Sequence, residues 1–350
     1  MTGVFDGLPA SAFWRPAVVE QGPFGVTDLF RPKFAVSRDM AVATAGSCFA
    51  QHVGKALRGA GLSVLDAEPA PPGLDEADAK AFGFGLYSGR YGNIYTTRQL
   101  RQLLEDTAAA RLRDEGFWHR GGRCFDALRP NVEPHGLGSE AEVRLLRRFH
   151  LARLSQLFGR CELFVFTLGM TECWVDPDTA TAFPTAPGLL ADPPPGRQVV
   201  FHNLRFDEIV ADLAAIRALL QGFNPAMQLL LTVSPVPLTA TVSGRHVLQA
   251  TTASKAILRA AVDDFTARHA DVDYVPSYEV ITHPAARGRF FAENLRSVTQ
   301  EGVDLVMGQF LAAHGLAPLP DAPGAAEPPA QAAMDDGLVC EEALAEAFLK

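Results

Sequence analysis

Residues Ala41-Val-Ala-Thr-Ala-Gly-Ser-Cys-Phe-Ala50 join a small-residue strand to an amphipathic helix through a Gly46-Ser47 turn. A hydroxyl at the carboxyl edge of a buried parallel strand stands where open α/β sheets bind their ligands. Ser47 at that edge has the chemistry of a nucleophile. The helix after the turn would aim its free N–H groups at whatever is bonded to Ser47, stabilising negative charge that develops there. Capping that helix is a second role for the same side chain. The local sequence leaves both roles open.

Several elements must hold this turn. Phe49, Val53, Leu57 and Ala60 give the helix one apolar stripe, and Gly59 and Gly61 end it. Ahead of it, residues 1–38 read as an irregular extension in which Pro9, Pro16, Pro23 and Pro32 block any long helix. Behind it, residues 62–65 read as a second strand. Residues 82–95 carry Gly83, Gly85, Gly89 and Gly92 among aromatics, the composition of a loop under close backbone approach. A surface helix over 97–110, a hairpin over 116–126 turning at Gly121-Gly122, and a longer helix over 139–158 follow. The run 161–168 is a short apolar run rich in aromatic and β-branched residues and predicts a buried parallel strand.

The proline-rich residues 176–196 read as an ordered insertion or lid. Beyond them, strands are predicted at 198–201, 228–233 and 272–275. Between these lie one helix marked by Ile209, Leu213, Ile216 and Leu220, and another marked by Ile257, Leu258, Ala261, Val262 and Phe265. This βαβ rhythm predicts a parallel sheet. A last helix faces Val303, Val306, Met307 and Phe310 inward.

Composition narrows the partners. With 350 residues, 48% of them hydrophobic and 20% charged, the chain buries a substantial core. A net charge of -9 without a Lys/Arg cluster argues against nucleic acid or an anionic membrane surface as partner, and suits a neutral or cationic substrate. The five cysteines are scattered, without disulfide or zinc spacing. There is no basic start followed by an apolar leader and no run of about 18 apolar residues. A cytoplasmic location is therefore expected.

The run Gly46-Ser-Cys-Phe-Ala50 resembles the signature of the GSCFA family, which is similar to the SGNH (GDSL-type) serine esterases. Further segments carry the resemblance: Tyr91-Gly-Asn-Ile-Tyr-Thr96, Thr167-Leu-Gly-Met-Thr-Glu-Cys-Trp174, Phe183-Pro-Thr-Ala-Pro-Gly188, Val233-Ser-Pro-Val-Pro237, Ser254-Lys255 and Pro276-Ser-Tyr-Glu279. It runs from about residue 40 to residue 314. For residues 39–315 it implies a three-layer α/β fold, SGNH-hydrolase-like and flavodoxin-like, with helices on both faces of a parallel sheet. It also implies an oxyanion site in which the Ser47 N–H, the Gly92 N–H and the Thr171 hydroxyl are donors, with Asn93 beside Gly92. Thr171 stands where SGNH enzymes carry the asparagine of Gly-x-Asn-Asp. Glu172 is placed to orient a loop or bind a substrate hydroxyl, and Trp174 to stack on a sugar ring or to be buried under the following loop.

One motif departs from the pattern. SGNH enzymes carry Asp-x-x-His before the last helix, and this chain has Asn294-Leu-Arg-Ser297, where Ser297 with Gln300 reads as a helix capping box. A base must then come from elsewhere. His246, in a loop beyond a strand's carboxyl edge, is the first candidate; His283 is the second, and His202 a third. Lys255 offers a Ser-Lys arrangement or, equally, an exposed helix position.

The expected function is that of a serine-dependent esterase or O-acyltransferase acting on an O-acylated carbohydrate or related small metabolite, with no metal or organic cofactor. The alternative is a non-catalytic glycan- or metabolite-binding protein on the same fold. Residues 316–350 read as a Pro/Ala-rich linker and a short amphipathic helix with Leu344 and Phe348 four apart, able to dock on the domain or to join subunits.

Overall fold

The 163–168 run carries Leu, Phe, Val, Phe and Leu on both of its faces, with Thr167 its only polar residue, so a strand built from it needs cover on both sides. In the computed structural model, which describes residues 3–316 of the chain, it has that cover. In chain order the first elements are β1 (Val42–Gly46), α1 (Phe49–Gly59), α2 (Glu76–Ala81), α3 (Thr97–Ala109), β2 (Phe117–Arg120), β3 (Arg123–Asp126), α4 (Glu140–Arg160) and β4 (Leu163–Leu168). Then come β5 (Glu172–Val175), β6 (Ala182–Phe183), β7 (Val200–Asn203), α5 (Phe206–Phe223), β8 (Gln228–Val233), α6 (Val247–Arg268), β9 (Val272–Val275), α7 (Ser277–Thr282) and α8 (Gln300–Ala313). The central sheet is parallel, four-stranded and ordered β1-β4-β8-β9.

Alternation along the strands sorts the two cores. Phe164, Phe166, Leu229 and Leu231 face α3, α4, α5 and α6, whereas Val42, Leu163, Val165 and Leu230 face α1, α7 and α8. The molecule is thus an α/β protein with helices on both faces of the sheet. Register then sets the site: Gly46 pairs with Thr167, so the turns that leave β1 and β4 lie side by side at the carboxyl edge.

Two expected strands differ. Residues 62–65 contribute a single bridge, Val64 to Val42, on the outer side of β1. The strand expected over 198–201 is β7, and it pairs antiparallel with β5 in a separate three-stranded sheet ordered β6-β5-β7. The insertion is ordered, as its prolines predict: it carries β6, and Asp192 bridges His119 of the β2–β3 hairpin. α3 is more deeply set than a surface helix. Asp212 of α5, fully buried, bonds Arg98 and Arg101 across the α3–α5 contact.

The N-terminal extension holds two short helical turns, Ala10–Ala12 and Arg15–Val19, and then straps onto the α8 face. Phe30 stacks on Phe310, and the Val26 carbonyl accepts from Gln309. Cys48, Cys124, Cys161 and Cys173 are buried free thiols. No helix among the described residues is long and apolar enough to cross a membrane. The linker and amphipathic helix expected over 316–350 lie, from residue 317 on, outside the described residues.

Candidate active site

Gly46 has φ 144°, and a Cβ built there would sit 2.5 Å from the Thr167 carbonyl oxygen. Only glycine lets β1 and β4 close up at this point. The next residue continues the contact: the Ser47 N–H donates to the Thr167 carbonyl at 3.2 Å. This donor of the expected oxyanion set is therefore engaged within the sheet. The Ser47 carbonyl accepts from the Ala50 N–H at 2.8 Å and from the Tyr87 hydroxyl at 3.2 Å. Ser47 Oγ is different. The residue is 3% exposed, and its hydroxyl bonds nothing among the described residues. Helix α1 is entered through Cys48 without a side-chain cap, so capping does not account for this serine.

The turn after β4 lies directly against it. A Cβ on Gly169 would fall 2.8 Å from Ser47 Cβ and 3.4 Å from Ser47 Oγ, so the serine occupies the space a side chain would need. The Gly169 and Met170 N–H groups both donate to the Tyr95 carbonyl, at 2.9 and 3.1 Å. Two consecutive buried residues of α6 clamp the same turn. Ser254 Oγ accepts from the Thr171 N–H at 3.0 Å, and Lys255 Nζ donates to the Gly169 carbonyl at 2.5 Å. Thr171 is fully buried, yet its hydroxyl also bonds nothing among the described residues. Neither an N-cap nor a loop bond explains it.

The glycine-rich segment closes the third side. Ile94 N–H donates to the Gly46 carbonyl at 2.8 Å. Asn93 is buried, and its side-chain oxygen accepts from Tyr87 and, at 3.4 Å, from Gln51 of α1. Through Tyr87, Asn93 therefore braces the Ser47 backbone from behind. Gly92 has φ 67°, and its N–H has no hydrogen-bond partner among the described residues.

Glu172 opens β5 just beyond Thr171. Its carboxylate accepts from the Thr241 hydroxyl at 2.8 and 3.0 Å, tying β5 to the loop after β8. Burial raises its pKa, against the pull of Thr241 and Arg245. Trp174 is half-buried, edge-on to Phe201 and packed with Trp118 and Phe183. Here packing under the insertion is what the indole does.

The histidines lie elsewhere. His246 is exposed and caps α6, its Nδ1 accepting from the Leu248 N–H at 3.1 Å. His202 Nε2 lies 2.9 Å from Glu208. His283, beyond α7, has its ring beside Phe290, and burial pushes its pKa down. None of them bonds Ser47 Oγ. Asn294 forms an exposed turn, accepting from the Arg296 and Ser297 N–H groups and donating to Ser297 Oγ. The cap of α8 is Thr299, which accepts from the Gly302 N–H, and not Ser297. Ser297 is spent on the Asn294 turn, two residues too early.

Lys255 is the residue whose placement spacing alone left undecided. It is 2% exposed, beside the buried stripe of Leu258, Ala261 and Val262. The signal was partial: a lysine three and seven residues from apolar core positions starts from the inward side of the helix, but spacing does not say where its long side chain ends. Among the described residues no group of three or more His, Cys, Asp or Glu is placed to hold a metal ion.

Residues 41–310 match the model of the GSCFA family, a span that begins just before β1 and ends within α8. No curated protein matches the chain.

Proposed function

The chain belongs to the GSCFA family, and from that footing we propose that it is a serine-dependent esterase or O-acyltransferase of SGNH type. Its substrate is an O-acylated carbohydrate or related small metabolite. The observation that carries the reading is a pair of buried, unbonded hydroxyls, Ser47 Oγ and Thr171 Oγ1, on adjoining turns at the carboxyl edge of the sheet. Leaving a buried polar group unsatisfied costs about 1–3 kcal/mol, and no bond among the described residues offsets that cost at either position. A substrate ester would supply both partners.

Ser47 Oγ attacks the ester carbonyl carbon, and the carbonyl oxygen takes up the negative charge. The Thr171 hydroxyl and the Gly92 N–H meet that oxygen; the Ser47 N–H, bonded to Thr167, is not counted among the donors. Collapse expels the alcohol and leaves an acyl-serine, which water or an acceptor hydroxyl then resolves. The carbohydrate part rests on likeness to SGNH enzymes, and the net charge of -9 agrees with an uncharged substrate.

A panel of acetylated sugars and short-chain aryl esters tests the reading, with Ser47→Ala as the control. Turnover by the wild type and none by the variant is expected. Inertness of a folded wild type across the panel, or equal turnover by the variant, would overturn it. One observation favours the rival reading, a glycan- or metabolite-binding protein: the position of the usual Asp-x-x-His is an exposed Asn294 turn without a base. Calorimetric binding of the unmodified sugars by a protein that turns over none of their esters would support that rival.

A further inference from the structure

We infer that Lys255 is the group that takes the proton from Ser47, an inference that rests on the serine-nucleophile reading above. The side chain is one of the largest that are fully buried in the molecule. Its Nζ lies 2.5 Å from the carbonyl oxygen of Gly169, and Gly169 is the residue whose Cα faces Ser47, close enough that a methyl there would sit 3.4 Å from Ser47 Oγ. The amine and the unbonded hydroxyl thus flank one residue. The histidines do not compete for this place. His246, the N-cap of the same helix, is exposed and accepts from the Leu248 N–H, and His202 is held by Glu208.

Chemistry also fits the burial. Lysine is seldom fully buried, and removal from water favours its neutral amine, the only form able to act as a base. The N–H bond to the Gly169 carbonyl places the amine on the far side of the residue that faces Ser47. In the first step the amine's lone pair takes the Oγ proton as Oγ bonds the carbonyl carbon and the C=O electron pair moves onto oxygen. In the second, the C–O bond to the alcohol breaks, and the departing oxygen takes its proton from the Lys255 ammonium. The amine returns neutral and serves water or the acceptor in the same way.

The test follows the rate at which a fluorophosphonate modifies Ser47, measured against pH across roughly 6 to 10, a range spanning the ordinary histidine and lysine values. Wild type, Lys255→Met, Lys255→Arg and His246→Ala are compared, with folding checked by thermal melting. A general base contributes roughly 10²–10⁴-fold, so both Lys255 variants are expected to lose at least about 100-fold while His246→Ala stays near wild type. Lys255→Arg keeps an N–H donor for the Gly169 carbonyl but has no usable lone pair. Retention of the wild-type rate and pH profile by that variant would reduce Lys255 to a positioning residue and overturn the inference while leaving the nucleophile in place. If the variants fail to fold, the wild-type profile decides: a rate that rises with a single ionisation supports the inference, and a flat one contradicts it. Absence of any adduct on wild-type Ser47 would instead bring down the underlying reading.

Discussion

Ser47 and Thr171 are buried hydroxyls without partners, and a stability measurement can separate a functional group from a structural one at each. Removing an unsatisfied buried hydroxyl relieves a desolvation cost of about 1–3 kcal/mol. Ser47→Ala is therefore expected to unfold in urea at the wild-type midpoint or above it, with turnover abolished. An unfolding free energy lowered by more than about 1 kcal/mol would mean that the hydroxyl stabilises the fold. Thr171→Val keeps the shape and removes one oxyanion donor, so kcat should fall about 10²-fold or more at unchanged stability. An unchanged kcat on a responsive ester would exclude that role. At this scale the turn that carries Ser47 was legible, because a Gly-Ser pair ending an apolar strand has few other places to be. The buried amine was less so: Lys255 falls beside an apolar stripe, and spacing does not say whether a long side chain runs inward or back out to water. Nor does sequence reveal that a hydroxyl lacks a partner, since that depends on every neighbouring segment at once.

Among the elements, the segment carrying Gly92 and Asn93 depends most on buried charge. Arg90 N–H donates to Glu68 at 2.8 Å, His150 Nδ1 lies 2.7 Å from the same carboxylate, and Tyr91 donates to the Thr44 carbonyl in β1. Burial, with Arg129 adding to it, pushes the His150 pKa from 6.5 down to about 4. The ring is therefore neutral at neutral pH and donates to Glu68. Burial alone would raise the Glu68 carboxyl, but the His150 bond and the Arg129 charge bring it from 4.5 to about 2. Between the two His150 values the unfolded chain binds a proton that the folded chain refuses. Its stabilising contribution is full above pH 6.5 and is lost as pH falls toward 4; that of Glu68 is lost from 4.5 toward 2. The melting temperature is thus expected to fall steadily with acid from pH 6.5, and His150→Gln to flatten the slope between 6.5 and 4. A wild-type melting temperature constant across that interval would contradict this account. The parallel strands and their helices were legible from period and length, because a strand with apolar residues on both faces needs two-sided burial. β7 was not placed correctly. A short run such as Val200-Phe-His-Asn203 fits an edge of either sheet, and its partner β5 is chosen by distant packing.

Seen whole, the molecule is one α/β unit in which Ser47 and Thr171 are both buried at the carboxyl edge of the sheet. The family match ends within α8, and Leu316 still packs against the second core. Truncation after Leu316 should accordingly leave the melting temperature and the ester turnover unchanged. A large loss of stability would show that residues 317–350 pack on the domain, and a fall in solution mass to that of a monomer would show that they join subunits. The expected limit near residue 315 rests on the abrupt rise in proline and alanine beyond the last apolar helix. The missing Asp-x-x-His was legible too, but not its consequence, since the replacement for a base lies in a helix about forty residues earlier. The central claim is that Ser47 is a nucleophile, and the most direct measurement is mass-spectrometric mapping of the protein after exposure to a fluorophosphonate. The account predicts one adduct, on the peptide containing Ser47, absent from Ser47→Ala and suppressed by a competing ester; a folded protein that carries no adduct, or carries it on another residue, would contradict it.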